Sequence, residues 1–167
     1  IGFGRIGEAV AKRAKAFDMT VIGYDPLIPA EEIEKRGGKP VSLDDLLSQA
    51  DVITLHIPLT AGTRGMLNAE AFARMKDGVR IVCAARGGVI DEDALLAALE
   101  SGKVAGAGLD VFVSEPTGDS ALVKHPRVVC TPHIGAQTGE AQVRAAEDIA
   151  HEVLAALRGE PLRWKVA

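Results

Sequence analysis

The 167-residue sequence predicts an α/β fold, a doubly wound parallel sheet with helices on both faces. Short β-branched runs alternate with helical patterns along most of the chain, which is typical of a parallel sheet covered on both sides. The opening stretch IGFGRIG is a glycine-rich turn of the kind that joins a strand to a helix. Hydrophobic content of 47% and charged content of 25% are ordinary for a globular protein, so we expect one domain.

Five short apolar runs are the predicted strands, and helical patterns separate them. The runs are, in chain order, TVIGY, VITLHI, VRIVCA, AGAGLDV and RVVCT. An amphipathic helix over residues 8–17 precedes the first run. Ser42 and Asp91 are predicted helix caps, because each offers a side-chain oxygen just before a helical pattern. The last helix is predicted from about Thr138 to Arg158, with Gly159 as its stop, and is expected to leave the sheet.

The glycines of the opening turn predict a binding site for a dinucleotide. Gly2, Gly4 and Gly7 have the G-x-G-x-x-G spacing that lets a strand turn into a helix while its backbone lies against a pyrophosphate. Such a turn needs a strand before it, and only Ile1 precedes this one. We therefore expect the native chain to continue upstream and the first strand of this Rossmann-type sheet to be truncated here.

Asp25 ends the next predicted strand and extends the cofactor prediction. A carboxylate there can accept hydrogen bonds from an adenosine ribose and would repel a 2′-phosphate, which favours NAD over NADP. The region around Pro26 and Pro29 has the composition of a loop, and a cation from that loop, Lys35 or Arg36, is the alternative that would accommodate the phosphate. A methyltransferase is an alternative class, since it also uses a glycine turn and a ribose-binding acid.

Three polar residues at strand ends are the candidates for chemistry. His133 in TPHIGA directly follows a strand, beside the small residues Gly135 and Ala136, and histidine suits proton transfer near neutral pH. Glu115 could fix its tautomer, and Arg86 could bind a substrate carboxylate with two parallel hydrogen bonds. The other histidines are expected to be structural, exposed or at the adenosine border; they are His56, His125 and His151.

Composition excludes several other classes. The net charge of −4 and the lack of a Lys/Arg block disfavour nucleic acid and anionic membranes as partners. No apolar run reaches the ~18 residues of a membrane span. Cys83 and Cys130 lie in apolar runs, which predicts buried free thiols and a reducing compartment, so the cytoplasm is the predicted location. No metal site is predicted.

Six motifs, in matching order and spacing, give the chain a specific resemblance. They are GFGRIG, VIGYDP, DVITLHIPLTAGTRGMLN, ARGGVIDEDAL, AGAGLDVFVSEP and TPHIGAQTGEAQ. Over nearly its whole length the chain resembles the cofactor domain of the D-isomer-specific 2-hydroxyacid dehydrogenases. The resemblance implies an NAD-dependent oxidoreductase in which His133 is the general acid/base, Glu115 its partner, and Arg86 the group that binds the substrate carboxylate. It also implies these cofactor contacts: Arg5 and Ile6 on the pyrophosphate, Asp25 on the ribose, Ile57 and Pro58 on the adenosine side, Ala84 on the nicotinamide side, Asp110 on its amide, and Ala85, Arg86, His133, Gly135 and Ala136 as further contacts.

The resemblance also marks two departures. The family usually has asparagine where this chain has Cys83, and that change is expected to loosen the loop of Arg86. Residues 1–167 correspond to the NAD-binding domain alone; the substrate domain is missing except for the start of its C-terminal return, at 160–167. We therefore expect this piece by itself to turn over substrate poorly.

The resemblance leaves the substrate and the assembly open. Overall similarity favours the branch of the family that oxidises 3-phosphoglycerate to 3-phosphohydroxypyruvate, in serine synthesis. Reduction of glyoxylate, hydroxypyruvate or another 2-keto acid is an alternative, and an NAD-responsive transcriptional corepressor is an alternative of another class. A homodimer is expected through the helices around residues 68–76 and 91–101.

Overall fold

The computed structural model describes residues 1–164, which form two compact units: Ile1–Pro132, and a second that begins at His133. Each unit is described by itself. The helices and strands, in chain order, are α1 (Arg5–Ala16), β1 (Ile22–Gly23), α2 (Ala30–Lys35), β2 (Lys39–Pro40), α3 (Leu43–Gln49), β3 (Val52–Leu55), α4 (Ala69–Arg74), β4 (Val79–Cys83), α5 (Glu92–Glu100), β5 (Val104–Leu109), α6 (Ala121–Lys124), β6 (Val128–Cys130) and α7 (Gly139–Arg158).

All strand pairings of the first unit are parallel. β1 pairs with β2, and β3, β4, β5 and β6 form a second sheet in that order. Residues 1 and 2 lie between the two sheets: the His56 amide donates to the Ile1 carbonyl at 2.8 Å, and the Gly2 amide donates to the Tyr24 carbonyl at 2.9 Å. The resulting order is the strand order 3-2-1-4-5-6 of a Rossmann fold, with only residues 1 and 2 at the central position. The predicted parallel sheet flanked by helices is confirmed.

The strand residues separate into two faces, as the two-residue period of a strand requires. Ile53, Ile81 and Ala107 lie side by side and are buried, with α3 to α6 forming a contiguous layer of helices. Val82 and Val129 belong to the opposite face and are exposed. The main core therefore lies between one face of the sheet and the helix layer. A smaller cluster joins Phe3, on the opening turn, with Ala11 of α1 and Ile33 of α2.

Side-chain caps mark where four helices begin, and they confirm the predicted caps; at α4, Asn68 Oδ1 accepts from the Ala71 amide at 3.0 Å. Ser42 Oγ accepts from the Asp45 amide at 3.1 Å, and Asp91 Oδ1 accepts from the Ala94 amide at 3.0 Å. Thr138 Oγ1 accepts from the Ala141 amide at 3.1 Å and opens α7. Each cap satisfies an amide that has no partner within its helix.

The stretch after Asp25 differs from its prediction. The sequence indicated a loop as far as Lys35 or Arg36, but residues 30–35 form α2 and residues 39–40 form the edge strand β2. The helix has Pro29 at its N-cap without a side-chain hydrogen bond, so the usual start signal of a serine, threonine, aspartate or asparagine is missing. The predicted helix over 8–17 is α1 and begins three residues earlier, at Arg5.

The second unit consists of α7 and the segment that follows it. Gly159, at φ 69°, ends the helix at the predicted residue in the left-handed conformation that favours glycine. The described part of the next segment folds back: the Arg163 and Trp164 amides each donate to a carboxylate oxygen of Glu152 at 3.1 Å. Of the predicted C-terminal return at 160–167, residues 165–167 lie outside the described residues.

Candidate cofactor and active site

The predicted site residues of the first unit cluster at one edge of its sheet. Parallel strands end at the same edge, which is where ligands bind in open α/β sheets. Asp25 lies two residues after β1, His56 directly after β3, Ala84 directly after β4 and Asp110 directly after β5. The opening turn lies between β1 and β3, the point at which the strand order reverses. The topology therefore brings these positions to one crevice.

The three glycines of the turn have three different physical reasons to lack a side chain. Gly2 has a φ of 84°, and a Cβ there would lie 2.6 Å from the His56 carbonyl oxygen. A Cβ on Gly7 would lie 2.2 Å from the Gly2 carbonyl oxygen, so α1 starts too close to the turn for any side chain. Gly4 has an ordinary φ of −66°, and no atom lies within 4 Å of its would-be Cβ. Only Gly4 leaves open space, as a phosphate against the backbone would need.

Asp25 is held by the turn that it faces. Its Oδ2 accepts from the Phe3 amide at 2.8 Å, and its Oδ1 accepts from the Leu27 amide at 2.9 Å. Each carboxylate oxygen can accept more than one hydrogen bond, so these two bonds leave capacity for ribose hydroxyls. The carboxylate is thereby oriented before any ligand arrives.

Arg36 was considered in the sequence only as a cation for a 2′-phosphate, and the structure gives it other partners. Its Nη1 donates to the Phe3 carbonyl at 2.7 Å, and its Nε donates to Glu32 Oε1 at 3.0 Å. Glu8 Oε2 lies 3.9 Å from the same Nε. No local sequence pattern predicts the contact between Arg36 and Phe3. The two residues are 33 positions apart, and the β1–α2–β2 crossover brings them together.

The loops that carry Arg86 and Glu115 are in direct backbone contact. A Cβ on Gly87 would lie 1.8 Å from the Phe112 carbonyl oxygen, so the two backbones touch. Glu115 Oε1 accepts from the Phe112 amide at 2.9 Å, and Glu92 Oε1 accepts from the Val113 amide at 2.6 Å. The sequence did not identify Glu92, which lies in the first turn of α5. The Arg86 and Glu115 side chains are exposed at this edge.

Asp110 is a buried carboxylate, 8% exposed, at the end of β5. The Thr131 hydroxyl donates to its Oδ1, and its own amide donates to the Cys83 carbonyl at 2.9 Å. Thr131 is a further residue that sequence reasoning missed. Of the remaining predicted cofactor contacts in this unit, Ala84 is exposed, Ala85 is buried, Ile57 is half-buried and Pro58 is exposed.

The second unit begins with the predicted acid/base. His133 is exposed and adopts a φ of 55°, a left-handed conformation that is uncommon for a residue other than glycine. Gly135 and Ala136 are exposed as well, and the turn that contains them ends at the N-cap of α7. Left-handed backbone at a non-glycine residue costs energy and is found disproportionately at functional sites.

Two other histidines and the two cysteines have local partners or buried surroundings. Burial lowers the pKa of His56 to about 4, and its Nε2 lies 3.1 Å from Thr54 Oγ1. His125 Nδ1 accepts from the Arg127 amide at 3.1 Å. Both cysteines are free thiols, Cys83 buried and Cys130 half-buried, and burial raises the pKa of each.

The described part of the chain has neither a metal-binding cluster nor a helix that could span a membrane. Residues 1–164 contain no cluster of three or more histidine, cysteine, aspartate or glutamate side chains that could hold a metal ion. None of the helices described there is both long and apolar enough to cross a membrane.

Comparison with known proteins agrees with this geometry. Residues 1–135 match the family model described as D-isomer specific 2-hydroxyacid dehydrogenase, NAD binding domain. A D-3-phosphoglycerate dehydrogenase of Bacillus subtilis is 51% identical over 162 residues, which are 97% of this chain and 31% of that protein. The chain thus spans about a third of that curated relative.

Solved structures show the same fold. A glyoxylate reductase from Paecilomyes thermophila superimposes with a TM-score of 0.90 at 45% identity, over 96% of this chain and 49% of that one. A D-lactate dehydrogenase from Aquifex aeolicus, solved with NAD and lactic acid, gives a TM-score of 0.83 at 38% identity, over 95% and 52%.

Proposed function

The chain belongs to the D-isomer specific 2-hydroxyacid dehydrogenases, as their NAD-binding domain, and from this we propose that it is the cofactor-binding part of an enzyme that oxidises a D-2-hydroxy acid with NAD. We propose that residues 1–167 form this one domain and that a substrate domain is contributed by sequence outside it. The single observation that carries the proposal is the open space at Gly4, at the start of α1 and beside Asp25.

The residues of the turn fit a dinucleotide by their own chemistry. The amino end of α1 attracts a pyrophosphate through the helix dipole and the backbone amides of its first turn. We assign Gly4, Arg5 and Ile6 to that contact, and Gly2 and Gly7 to the tight turn that brings them to the cofactor. Asp25 accepts hydrogen bonds from the ribose hydroxyls, and its negative charge disfavours a 2′-phosphate. When bound, NAD supplies an acceptor for the hydride that leaves the substrate carbon.

We propose the following roles for the remaining site residues. Arg86 binds the substrate carboxylate through its planar guanidinium. His133 takes the hydroxyl proton during oxidation and returns it during reduction, and Glu115 stabilises the imidazolium that forms. Asp110 accepts from the nicotinamide amide. The other proposed contacts along the cofactor are Ile57, Pro58, Ala84, Ala85, Gly135 and Ala136.

We propose 3-phosphoglycerate as the substrate and 3-phosphohydroxypyruvate as the product, a reaction of serine biosynthesis. The support is the 51% identity to a D-3-phosphoglycerate dehydrogenase over nearly the whole chain. The second candidate is reduction of glyoxylate or hydroxypyruvate, which the 45% identity to a glyoxylate reductase favours. Steady-state kinetics of the complete gene product on each acid decides between them: the true substrate is the one with the highest kcat/KM.

Calorimetric titration with NAD and NADP tests the cofactor assignment. The chain is expected to bind NAD in preference to NADP, and Asp25→Ala is expected to weaken NAD binding about tenfold or more, as loss of a charged hydrogen-bond partner does. Asp51→Ala is the matched control, because it removes the same charge from an exposed residue just before β3, at the opposite edge of the sheet. Equal affinities of all three proteins for NAD would refute the assignment of Asp25.

We also propose a homodimer and a cytoplasmic location. The exposed positions of α4 and α5 are alanines and charged residues such as Glu70 and Asp93, so an interface there would be polar. The free thiols of Cys83 and Cys130 support a reducing compartment. Light scattering of the complete gene product tests the dimer, and a monomeric mass would refute it.

A further inference from the structure

We infer that Arg36 is a positioning residue for the phosphate-binding turn: by holding the Phe3 carbonyl it aims the Gly4 amide at the pyrophosphate. The inference rests on the proposed function for the identity of the ligand. The orientation of the peptide itself rests only on contacts within residues 1–36.

The backbone of Phe3 is fixed at both of its polar groups. Its amide donates to Asp25 Oδ2 at 2.8 Å, and its carbonyl accepts from Arg36 Nη1 at 2.7 Å. The Phe3 side chain is buried, 4% exposed, against Ile33 of α2. The residue that precedes Gly4 therefore has little freedom to rotate.

The direction of the Gly4 amide follows from the geometry of the peptide bond. The Phe3–Gly4 peptide is trans and planar, so its N–H points opposite to its carbonyl. Since Arg36 binds the carbonyl, the N–H points away from Arg36. Within residues 1–164 no acceptor bonds this amide, and no atom lies within 4 Å of the would-be Cβ of Gly4. The donor is therefore left for an anion to accept from, and the side of Gly4 on which a Cβ would stand is open.

The partners of Arg36 explain why it acts on the turn and does not itself bind the ligand. Glu32 Oε1 accepts from Nε at 3.0 Å, and Glu8 adds a second carboxylate at 3.9 Å, so the positive charge is balanced on the spot. The Arg36 side chain is only 24% exposed, whereas neighbouring Lys35 is 71% exposed. Arginine is suited to this role because its planar fork holds a carbonyl and a carboxylate at once.

Arg36→Gln tests the inference, with Lys35→Gln as the matched control. Both variants remove one positive charge that contacts Glu32, but only Arg36 touches Phe3. The first measurement needs no ligand: the ¹⁵N order parameter of the Gly4 amide is expected to fall in Arg36→Gln and to stay unchanged in Lys35→Gln. An unchanged order parameter in both variants would overturn the inference, whether or not the chain binds NAD.

The second measurement is the affinity for NAD and NADP by calorimetry. Arg36→Gln is expected to weaken NAD binding about tenfold, the effect of misdirecting one hydrogen bond, while Lys35→Gln changes it less than about twofold. A loss confined to NADP would assign Arg36 to the 2′-phosphate and overturn the positioning role. Failure of the unaltered chain to bind NAD would refute the proposed function alone, because the order parameter still decides the role of Arg36.

Discussion

Substituting Gly4 and Gly7 separately should divide the opening turn into a residue that serves the ligand and one that serves the fold. In Gly7→Ala the new Cβ would lie 2.2 Å from the Gly2 carbonyl oxygen, whereas real Cβ atoms essentially never come within 3.0 Å of a neighbour. The turn must therefore open by about 0.8 Å, against backbone that has no rotamer to escape to. Overpacking of this kind costs roughly 1–3 kcal/mol, and we expect the upper end. The melting temperature should fall by roughly 6–12 °C.

Gly4→Ala should have the opposite profile. Its backbone, at φ −66° and ψ −166°, is accessible to alanine, and the new methyl group meets no atom within 4 Å. Alanine is a poorer N-cap than glycine, which costs roughly 0.5–1 kcal/mol, but it lowers the entropy of the unfolded chain by a similar amount. Stability should change by less than about 0.5 kcal/mol. NAD affinity should fall at least about tenfold, because the methyl group fills the space that the pyrophosphate needs.

Differential scanning calorimetry and NAD titration of the two variants together give the answer. The informative result is a crossed pattern, in which Gly7→Ala loses stability and Gly4→Ala loses affinity at an unchanged melting temperature. Wild-type affinity in Gly4→Ala would show that the pyrophosphate does not lie at this turn, and the cofactor assignment would have to be abandoned.

Two further perturbations probe other parts of the molecule. The folded-state pKa of His56, about 4, lies below its value of 6.5 in the unfolded chain, so the unfolded state binds more protons and stability is lost as the pH falls from about 6.5 to about 4. His56→Gln removes this loss of stability at acidic pH, which is up to about 2 kcal/mol after allowance for partial exposure. The midpoint of acid unfolding, followed by circular dichroism, should therefore move to lower pH. An unmoved midpoint would contradict the lowered pKa of His56. Gly87→Ala should separate the loops of Arg86 and Glu115 by about 1 Å and lower kcat of the complete enzyme about 100-fold. The control is Gly62→Ala, which should leave kcat unchanged because a Cβ there meets only Thr60 Oγ1, at 3.9 Å. Equal kcat values for the two variants would contradict the backbone contact between Gly87 and Phe112.

The strands and the long helices could be predicted because the local order of apolar and polar residues indicates which positions are buried. Each of the five apolar runs overlaps a strand, and α7 begins and ends at the predicted caps. The edge strand β2 could not be predicted, since it has two residues and one of them, Pro40, cannot donate to a ladder. The short helix α2 was missed for a similar reason: six residues are too few to show a helical period, and its cap at Pro29 offers no side-chain acceptor.

From the sequence, only those site residues that come after a predicted strand could be located. Asp25, Arg86 and Asp110 come after apolar runs, and parallel strands end at one edge, so their common location follows from the topology. The contacts that orient them have no such signal. Arg36 meets Phe3 across 33 positions and Thr131 meets Asp110 across 21, and both pairs exist only because strands and crossovers place them side by side.

The loop that carries Glu115 shows what those hidden contacts do. Its backbone is outside any helix or strand, yet two consecutive amides, of Phe112 and Val113, donate to carboxylates at 2.9 and 2.6 Å. One of these carboxylates is Glu115 itself, and the other, Glu92, belongs to a helix that also packs into the core. Hydrogen bonds to ionised acceptors are stronger than neutral ones, so they substitute for the ladder that the loop lacks. The proposed partner of His133 is therefore held by side chains of the fold, and its position depends on Glu92 as much as on its own place in the sequence.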